Sequence, residues 1–221
     1  HSVALAVGGS LGGMVALEWA ATFPDLTETT VAFAAPATPD AYARGWNHVQ
    51  RRAIQAAGIE GLEVARGAGM LGYRTAHEFE TRFGRDRNDD GRFQIWSYLD
   101  HHGAKLARRM HPASYLALLD AIAAYDVGEG RGGVAQALGR IRGRLIGVGI
   151  PGDLLYPDEQ VRGWVEAAGA EYRTIESPHG HDGFLLEADQ VGAILREALG
   201  LPARITTPSR PIVVPPRAAE A

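Results

Sequence analysis

Three residues that together could carry out nucleophilic catalysis lie far apart in the chain, in the order serine, aspartate, histidine. Ser10 lies in the segment GGSLG, Asp153 in GIPGDLLYP and His181 in SPHGHDGFL. A serine hydroxyl becomes a nucleophile when a histidine accepts its proton, and an aspartate that holds the imidazole in one tautomer makes the transfer efficient. The chemistry that this set could support is acyl transfer through the serine.

The segment around Ser10 fits the pattern G-x-S-x-G, which is typical of a serine on a sharp turn between a strand and a helix. Glycines two residues to either side, Gly8 and Gly12, are expected to relieve crowding at such a turn. The backbone N–H of Leu11 would then contribute to an oxyanion hole at the helix N-terminus. A glycine-rich β–α turn without a catalytic role is the alternative. A dinucleotide-binding fingerprint fits less well, because serine or leucine stands where that pattern needs glycine.

Alternatives are also open at the other two positions. Asp153 could be a turn residue that follows Gly152, and His179 competes with His181 as the base. The order Ser–Asp–His, with each residue after a predicted strand, favours Asp153 and His181. His179, His181 and Asp182 could also be part of a metal site, but the sequence shows no further cluster of ligands beside them.

An acidic segment, residues 86–91, matches the first half of a calcium-binding loop. Ser97 stands where that loop requires a bidentate glutamate, so we interpret the segment as a solvated loop.

The elements that would position the three residues alternate between strands and helices at both ends of the chain. Short apolar runs predict strands, and apolar residues at helical spacing predict helices. A strand, a glycine turn, a helix and a second strand form a β–α–β unit, which implies a parallel sheet. The predicted strands are 2–8, 30–34, 144–150 and 172–175, and the predicted helices at the two ends are 11–23, 158–168 and 184–199.

The middle of the chain has helical periodicity and no convincing strand. The helices predicted there are 41–57, 78–83, 98–110 and 114–125. We therefore predict an α/β core in two parts, residues 1–37 and 143–200, interrupted by a helical lid over 38–142. Residues 201–221 hold several of the prolines and few apolar anchors, so a flexible tail is expected there.

Composition narrows the classes of function. The chain has 221 residues, of which 46% are hydrophobic and 22% charged, so a packed core is expected. A net charge of −4 argues against a general nucleic-acid binder. There are no cysteines, which excludes disulfides and thiolate metal sites. No apolar run approaches the ~20 residues of a membrane span, so no membrane association is expected.

Longer segments give the chain a resemblance to a known family. They occur in one order between about Val3 and Leu199: GGSLGGM with ALEWA, WNHVQRRAI, YRT with FGR, FQIWSYLDHHG, SYLALLDAIAAYD, GIPGDLLYP and SPHGHDGFL. On these segments the chain resembles the homoserine O-acetyltransferase family of the α/β-hydrolase fold. The resemblance implies a cytoplasmic enzyme of methionine biosynthesis that binds no cofactor and uses acetyl-CoA as its acyl donor. It also implies a homodimer formed through the lid.

The resemblance further implies a ping-pong mechanism. Ser10 would attack the thioester with His181 as general base and Asp153 holding the imidazole, and the acyl group would pass to an amino-acid hydroxyl such as that of homoserine. Arg74 would hold the acceptor's carboxylate and Asp182 its ammonium, because a guanidinium suits a carboxylate and a carboxylate suits an amine. A salt bridge within the lid is the alternative for Arg74, and a loop cap is the alternative for Asp182.

The chain also departs from the family. Trp96 stands where relatives usually have Glu, and residues 111–116 replace an Asp-Ala-Asn-Ser-Tyr-Leu run. Because both changes lie in the predicted lid, the sequence does not fix which alcohol accepts the acyl group. The family's first strands and second oxyanion donor have no counterpart here, so the chain alone is expected to be inactive or unstable unless a second chain supplies them. A serine hydrolase of the same fold is the alternative enzyme, and a truncated scaffold subunit is the alternative without activity.

Overall fold

The computed structural model describes residues 2–202. The predicted tail over 201–221 therefore lies outside the described residues, apart from its first two positions. The described residues form four strands: β1 (Ala6–Gly9), β2 (Thr29–Phe33), β3 (Arg144–Gly149) and β4 (Glu171–Thr174). Their helices are α1 (Leu11–Thr22), α2 (Ala41–Tyr73), α3 (Ala76–Phe83), α4 (Gln94–Ala107), α5 (Pro112–Ala124), α6 (Val134–Leu138), α7 (Asp158–Ala168), α8 (Gly183–Leu186) and α9 (Ala188–Ala198).

The four strands form one parallel sheet in the order β1-β2-β3-β4. Val7 pairs with Val31, Val31 with Ile146, and Ile146 with Glu171, so the carboxyl ends of the strands share one edge. The predicted parallel sheet is confirmed. Strands β1 and β3 are shorter than their predicted runs, whereas β2 and β4 have the predicted lengths and begin one residue earlier. Residues 2–5 contribute only an isolated bridge between Val3 and Thr27.

Helices cover both faces of this sheet. Side chains alternate along each strand, so the apolar strands present apolar side chains on both faces, and both must be buried. On one face, Ala32 and Leu145 belong to a buried cluster with residues of α1 and α7 that include Met14, Leu17, Trp164 and Val165. On the other face, Val31, Phe33, Ile146 and Val148 pack with Ile194 and Ala198 of α9. The buried interior of a doubly covered parallel sheet explains why β2 has no exposed residue.

The predicted helical segment between β2 and β3 contains helices α2 to α6. Residues of α2, α4 and α5 share a buried cluster of their own, formed by Ile54, Leu62, Ala65, Leu106, Tyr115 and Leu119. Helix α6 instead contributes Ala137 and Leu138 to the buried interior, and Leu138 packs within the cluster of α1 and α7. The chain between β2 and β3 therefore contributes both to a layer above the sheet and to the core.

Two of the predicted helices differ most from the observed elements, while α7 alone has its predicted bounds and the other predicted helices differ by one to four residues at their ends. Helix α2 continues to Tyr73, with one non-helical residue at Gly58, whereas the sequence predicted a helix only to 57. The glycines of its second half lower helix propensity, but packing outweighs this. At Gly103 of α4 a Cβ would lie 2.7 Å from the carbonyl oxygen of Glu63, so glycine lets α4 approach α2 closely. The single helix predicted over 184–199 is two helices, α8 and α9, separated at Glu187.

Candidate active site

Ser10 lies at the sharp turn between β1 and α1. Its φ of 55° places it in a region that residues other than glycine rarely adopt. The backbone is held there by a hydrogen bond of 2.8 Å from the Ser10 N–H to the Phe33 carbonyl oxygen. Leu11 is the first residue of α1, where a backbone N–H has no acceptor within the helix. The turn therefore presents a hydroxyl beside a helix N-terminus, as the G-x-S-x-G pattern predicted.

The glycines around Ser10 do not all have the role that the sequence suggested. A Cβ at Gly8 would lie 2.0 Å from the Gly12 carbonyl oxygen, so this position requires glycine. At Gly13 a Cβ would lie 2.6 Å from the Cβ of Ala35, where α1 packs on the segment after β2. At Gly12 a Cβ would meet nothing within 4 Å among the described residues, so our steric reason for Gly12 was wrong.

Asp153 lies in the loop after β3, with its carboxylate fully buried. Its Oδ1 accepts hydrogen bonds from two backbone N–H groups, at 2.8 Å from Leu155 and 3.0 Å from Tyr156. Its Oδ2 lies 2.7 Å from Nδ1 of His181. The loop thus fixes one carboxylate oxygen by its own backbone and leaves the other for the histidine.

His181 follows β4 in a single 3₁₀ turn, Gly180–Asp182, and is 3% exposed. Its Nε2 lies 2.8 Å from Oγ of Ser10. The ring is surrounded by Tyr73, Tyr156 and Phe184, with centroids 5.9, 5.3 and 5.6 Å away. Asp153, His181 and Ser10 therefore form one hydrogen-bonded chain, in which a carboxylate that only accepts requires the proton on Nδ1 and leaves the Nε2 lone pair facing the serine.

A cavity of about 240 Å³ opens over Ser10 and His181. Its far wall is formed by helices α2 and α5, through Asn47, Gln50, Tyr73, Tyr115, Leu119 and Ile122. The Tyr115 hydroxyl donates a hydrogen bond of 2.6 Å to Oε1 of Gln50. Burial raises the pKa of Tyr115, so the phenol keeps its proton and remains a donor. The cavity is large enough for a small acyl group and a small alcohol, and the helical layer forms one of its walls.

Arg74 and Asp182, the residues expected to bind an amino-acid acceptor, contact each other. Nε of Arg74 donates a hydrogen bond of 2.9 Å to Oδ2 of Asp182, and its Nη1 donates one of 2.8 Å to Oε1 of Glu78. Burial opposes the charge of Arg74, but the hydrogen bond that Arg74 donates to Glu78 and the field of Asp182 outweigh it and raise the pKa of Arg74. Asp182 lines the cavity that Ser10 also lines, and its carboxylate is paired with Arg74.

Within residues 2–202, no three histidine, aspartate or glutamate side chains lie together as a metal-ligand set. The acidic loop over 86–91 is closed by its own backbone, through a hydrogen bond of 2.9 Å from the Gly91 N–H to the Asn88 carbonyl oxygen. In the same part of the chain, no helix is both long enough and apolar enough to cross a membrane.

Comparison with known proteins places the chain in a family, although no protein-family model matches it. It is 47% identical, over 201 residues, to a homoserine O-acetyltransferase of Thermus thermophilus. That match covers 87% of this chain and 52% of the relative. The chain belongs to the homoserine O-acetyltransferase family. It spans about half the length of the curated relatives that it matches.

Solved structures give the same fold. The homoserine O-acetyltransferase of Staphylococcus aureus matches with a TM-score of 0.75 and 32% identity, over 90% of this chain and 59% of that one. The acetyl esterase MekB matches with a TM-score of 0.78 at 24% identity, over 90% of this chain and 62% of that one, which shows a shared fold. The predicted α/β-hydrolase fold is confirmed.

Several residues that line or contact the site were not predicted from the sequence. Asn47, Gln50, Tyr73 and Tyr115 line the cavity, and Glu78 contacts Arg74. A signal existed for the first two. They lie three residues apart in the segment WNHVQ, a spacing that puts two amides on one face of a helix. His179, the alternative to His181 as the base, lies with its Nδ1 3.0 Å from Oε2 of Glu78.

Proposed function

We propose that Ser10, His181 and Asp153 are the catalytic residues of an O-acyltransferase that moves an acetyl group from acetyl-CoA to the hydroxyl of homoserine or a similar amino acid. The observation that supports this proposal is the pair of contacts at His181, 2.8 Å to the Ser10 hydroxyl and 2.7 Å to the Asp153 carboxylate, at the base of a cavity. Membership of the family supports the choice of acyl group and acceptor, since the relatives bear the name homoserine O-acetyltransferase.

In the first half-reaction, Oγ of Ser10 attacks the thioester carbonyl carbon while its proton moves to Nε2 of His181. The carbonyl oxygen gains negative charge, and the free N–H of Leu11 at the start of α1 is placed to stabilise it. The C–S bond then breaks, and the thiolate takes the proton from His181. An acetyl ester on Ser10 remains, and the imidazole returns to its neutral form.

In the second half-reaction, the acceptor hydroxyl gives its proton to Nε2 of His181 as its oxygen attacks the acetyl ester. The C–O bond to Ser10 breaks, and His181 returns the proton to the serine oxygen. Asp153 stays ionised throughout and stabilises the imidazolium that forms in each half. Water must be kept from the ester between the two halves, and the helical layer over the cavity is suited to that task.

The acceptor's charged groups would interact with Arg74 and Asp182. Asp182 faces the cavity and suits an ammonium group. Arg74 uses Nε and Nη1 for Asp182 and Glu78, and the remaining donors of its guanidinium suit a carboxylate.

Intact mass spectrometry after exposure to acetyl-CoA tests the proposal. With a second polypeptide present that supplies the family's first strands, we expect an acetyl adduct on the wild-type chain that is lost when homoserine is added, and no adduct on Ser10→Ala. Release of CoA at equal rates with and without homoserine would indicate a hydrolase instead. Homoserine-dependent transfer by Ser10→Ala would exclude the proposed nucleophile.

We also propose that further strands complete the sheet beside β1. Among the described residues β1 pairs only with β2, and the surface beside it is apolar: Val7, Val15 and Trp19 are 46%, 60% and 41% exposed. A free strand edge next to such a surface favours pairing with another strand. Mixing the chain with a polypeptide that spans the unmatched half of the Thermus relative tests this. A complex in size-exclusion chromatography, weakened by Val7→Lys, is expected, and two unshifted peaks would refute it.

A further inference from the structure

Three contacts join the start of α3 to the loop that carries His181. The Thr75 hydroxyl donates a hydrogen bond of 2.7 Å to the Pro178 carbonyl oxygen. Arg74 bonds to Asp182, and Glu78 lies against His179. Residues 178, 179 and 182 bracket His181 on both sides in the chain. The short segment 74–78 of the helical layer is therefore attached to the histidine loop at three points.

Glu78 occupies the centre of this arrangement. Its Oε1 accepts from Arg74 at 2.8 Å, and its Oε2 lies 3.0 Å from Nδ1 of His179. Oε2 and Nδ1 are both buried from solvent; their alignment is not that of a hydrogen bond, and neither has any other hydrogen-bond partner among the described residues. A carboxylate oxygen can only accept, so the favourable form of His179 carries its proton on Nδ1. Each of these two atoms thus depends on the other.

The sequence suggests a simpler role for Glu78, which the structure does not bear out. Thr75-Ala76-His77-Glu78 fits a capping box, in which the glutamate would return to the threonine N–H. Thr75 does cap α3, since its hydroxyl oxygen accepts from the Glu78 N–H at 3.0 Å. The glutamate oxygens, however, lie against Arg74 and His179. Its carboxylate is therefore directed at the site and not at the helix end.

We propose that Glu78 is a positioning residue of this site: it orients the Arg74 guanidinium towards Asp182 and, through His179, fixes the loop that carries His181. The inference rests on the proposed function for its account of acceptor binding. Charge makes Glu78 necessary, because a guanidinium held between two carboxylates is fixed in direction by both of them. The Glu78 side chain is only 12% exposed, so solvent does little to weaken the contact.

The test compares Glu78→Gln with Glu80→Gln, a matched change at an exposed position of the same helix. Replacing a charge-assisted hydrogen bond with a neutral one about halves its strength, so we expect the KM for homoserine to rise about tenfold in Glu78→Gln. The KM for acetyl-CoA should not change. The rate at which a fluorophosphonate labels Ser10 should fall severalfold, because it depends on the placement of His181. Glu80→Gln should match the wild type in all three.

His179 gives a second set of variants that leaves Arg74 untouched. His179→Phe removes the partner of Oε2 and is expected to slow labelling of Ser10 severalfold without raising the KM for homoserine. His179→Asn places an amide N–H near the position of Nδ1 and should recover most of the labelling rate. Equal labelling by His179→Phe and the wild type would refute the contribution to the histidine loop.

The two proposals fail in different ways. A wild-type protein that fluorophosphonate labels but that transfers nothing to homoserine contradicts the proposed acceptor, while the labelling rates of the variants still test Glu78. The downfield proton resonance of Nδ1 in His181 gives a readout that needs no substrate, and Glu78→Gln should broaden it. Transfer kinetics, labelling and resonance that all match those of Glu80→Gln would overturn the positioning role, whatever the change in thermal stability.

Discussion

Replacing Asp153 by asparagine should inactivate the site while leaving its shape intact. The carboxylate accepts from two backbone N–H groups through Oδ1 and from His181 through Oδ2. Asparagine has one acceptor and one donor group, so its two ends are not equivalent. Turning the NH₂ group towards Leu155 and Tyr156 would set donors against donors and lose two buried hydrogen bonds. The amide oxygen therefore stays with the backbone, and the NH₂ group faces His181.

That orientation decides the tautomer of the histidine. Nδ1 must then accept from the asparagine, so the proton of a neutral imidazole moves to Nε2, which faces Ser10 at 2.8 Å. The reactive tautomer would set Nδ1–H against the amide N–H and leave two buried donors unpaired, at roughly 1–3 kcal/mol each. A total of roughly 2–6 kcal/mol corresponds to a rate loss between about 30-fold and 20,000-fold.

The assay is the rate of Ser10 acylation by p-nitrophenyl acetate, followed as a burst of nitrophenol. Asp89→Asn is the matched control, since Asp89 is an exposed residue of the loop before α4. Thermal unfolding should separate Asp153→Asn from Asp153→Ala, because only alanine leaves the Leu155 and Tyr156 N–H groups without an acceptor and should therefore be the less stable variant. An Asp153→Asn protein that acylates within threefold of the wild-type rate would refute this account of the tautomer.

Packing and charge lead to three further predictions. Gly8→Ala should lower the free energy of unfolding by about 1–3 kcal/mol in chemical denaturation, because its Cβ would lie 2.0 Å from the Gly12 carbonyl oxygen. Gly12→Ala, where a Cβ meets nothing within 4 Å among the described residues, should be close to neutral. Equal effects of the two substitutions would contradict the geometry of the turn. Gly103→Ala should lower the unfolding midpoint, because the added Cβ forces α4 away from α2. Gly163→Ala, at an exposed site in α7 with open space around it, should raise the free energy of unfolding by about 0.5–1 kcal/mol. A destabilised Gly163→Ala would count against the packing argument. The hydrogen bond from Arg131 lowers the pKa of Glu18 below its usual 4.5. The stability that this pair contributes is therefore fully present above pH 4.5 and is lost as the pH falls through the lowered pKa. The difference in unfolding free energy between wild type and Arg131→Gln should shrink on acidification, and a difference that grows would contradict this direction of the pKa shift.

The α/β core could be read from the sequence because its signals are local. A run such as RLIGVGI has few alternatives to a buried strand, and α7 was predicted with its observed bounds, 158–168. The order of strands then determined which loops share an edge, which brought Asp153 and His181 towards Ser10. The second half of α2 escaped prediction because its helicity depends on packing against α4, a contact between residues distant in the chain.

The surroundings of the three residues could not be predicted in the same way. A capping box at the start of α3 is enough to explain a glutamate at position 78. Nothing near Glu78 in the sequence indicates a contact with His179, about a hundred residues later. Tyr115 and Gln50 likewise meet only because α5 lies across α2. The order of residues along the chain identified candidates for the reacting groups. The groups that orient them are brought there by tertiary contacts, and such contacts produce no recognisable spacing in the sequence.

The pairing of Arg74 with Asp182 changes how the proposed recognition of an acceptor would work. Two free, opposite charges would attract a zwitterion strongly, but here each charge already has the other as partner. A zwitterionic acceptor can only exchange contacts: its ammonium approaches the carboxylate as its carboxylate approaches the guanidinium. The net gain is small, so the pair contributes orientation and selection against uncharged alcohols more than affinity. Because Asp182 adjoins His181 in the chain, the proposed exchange would take place directly beside the group proposed to accept the acceptor's proton.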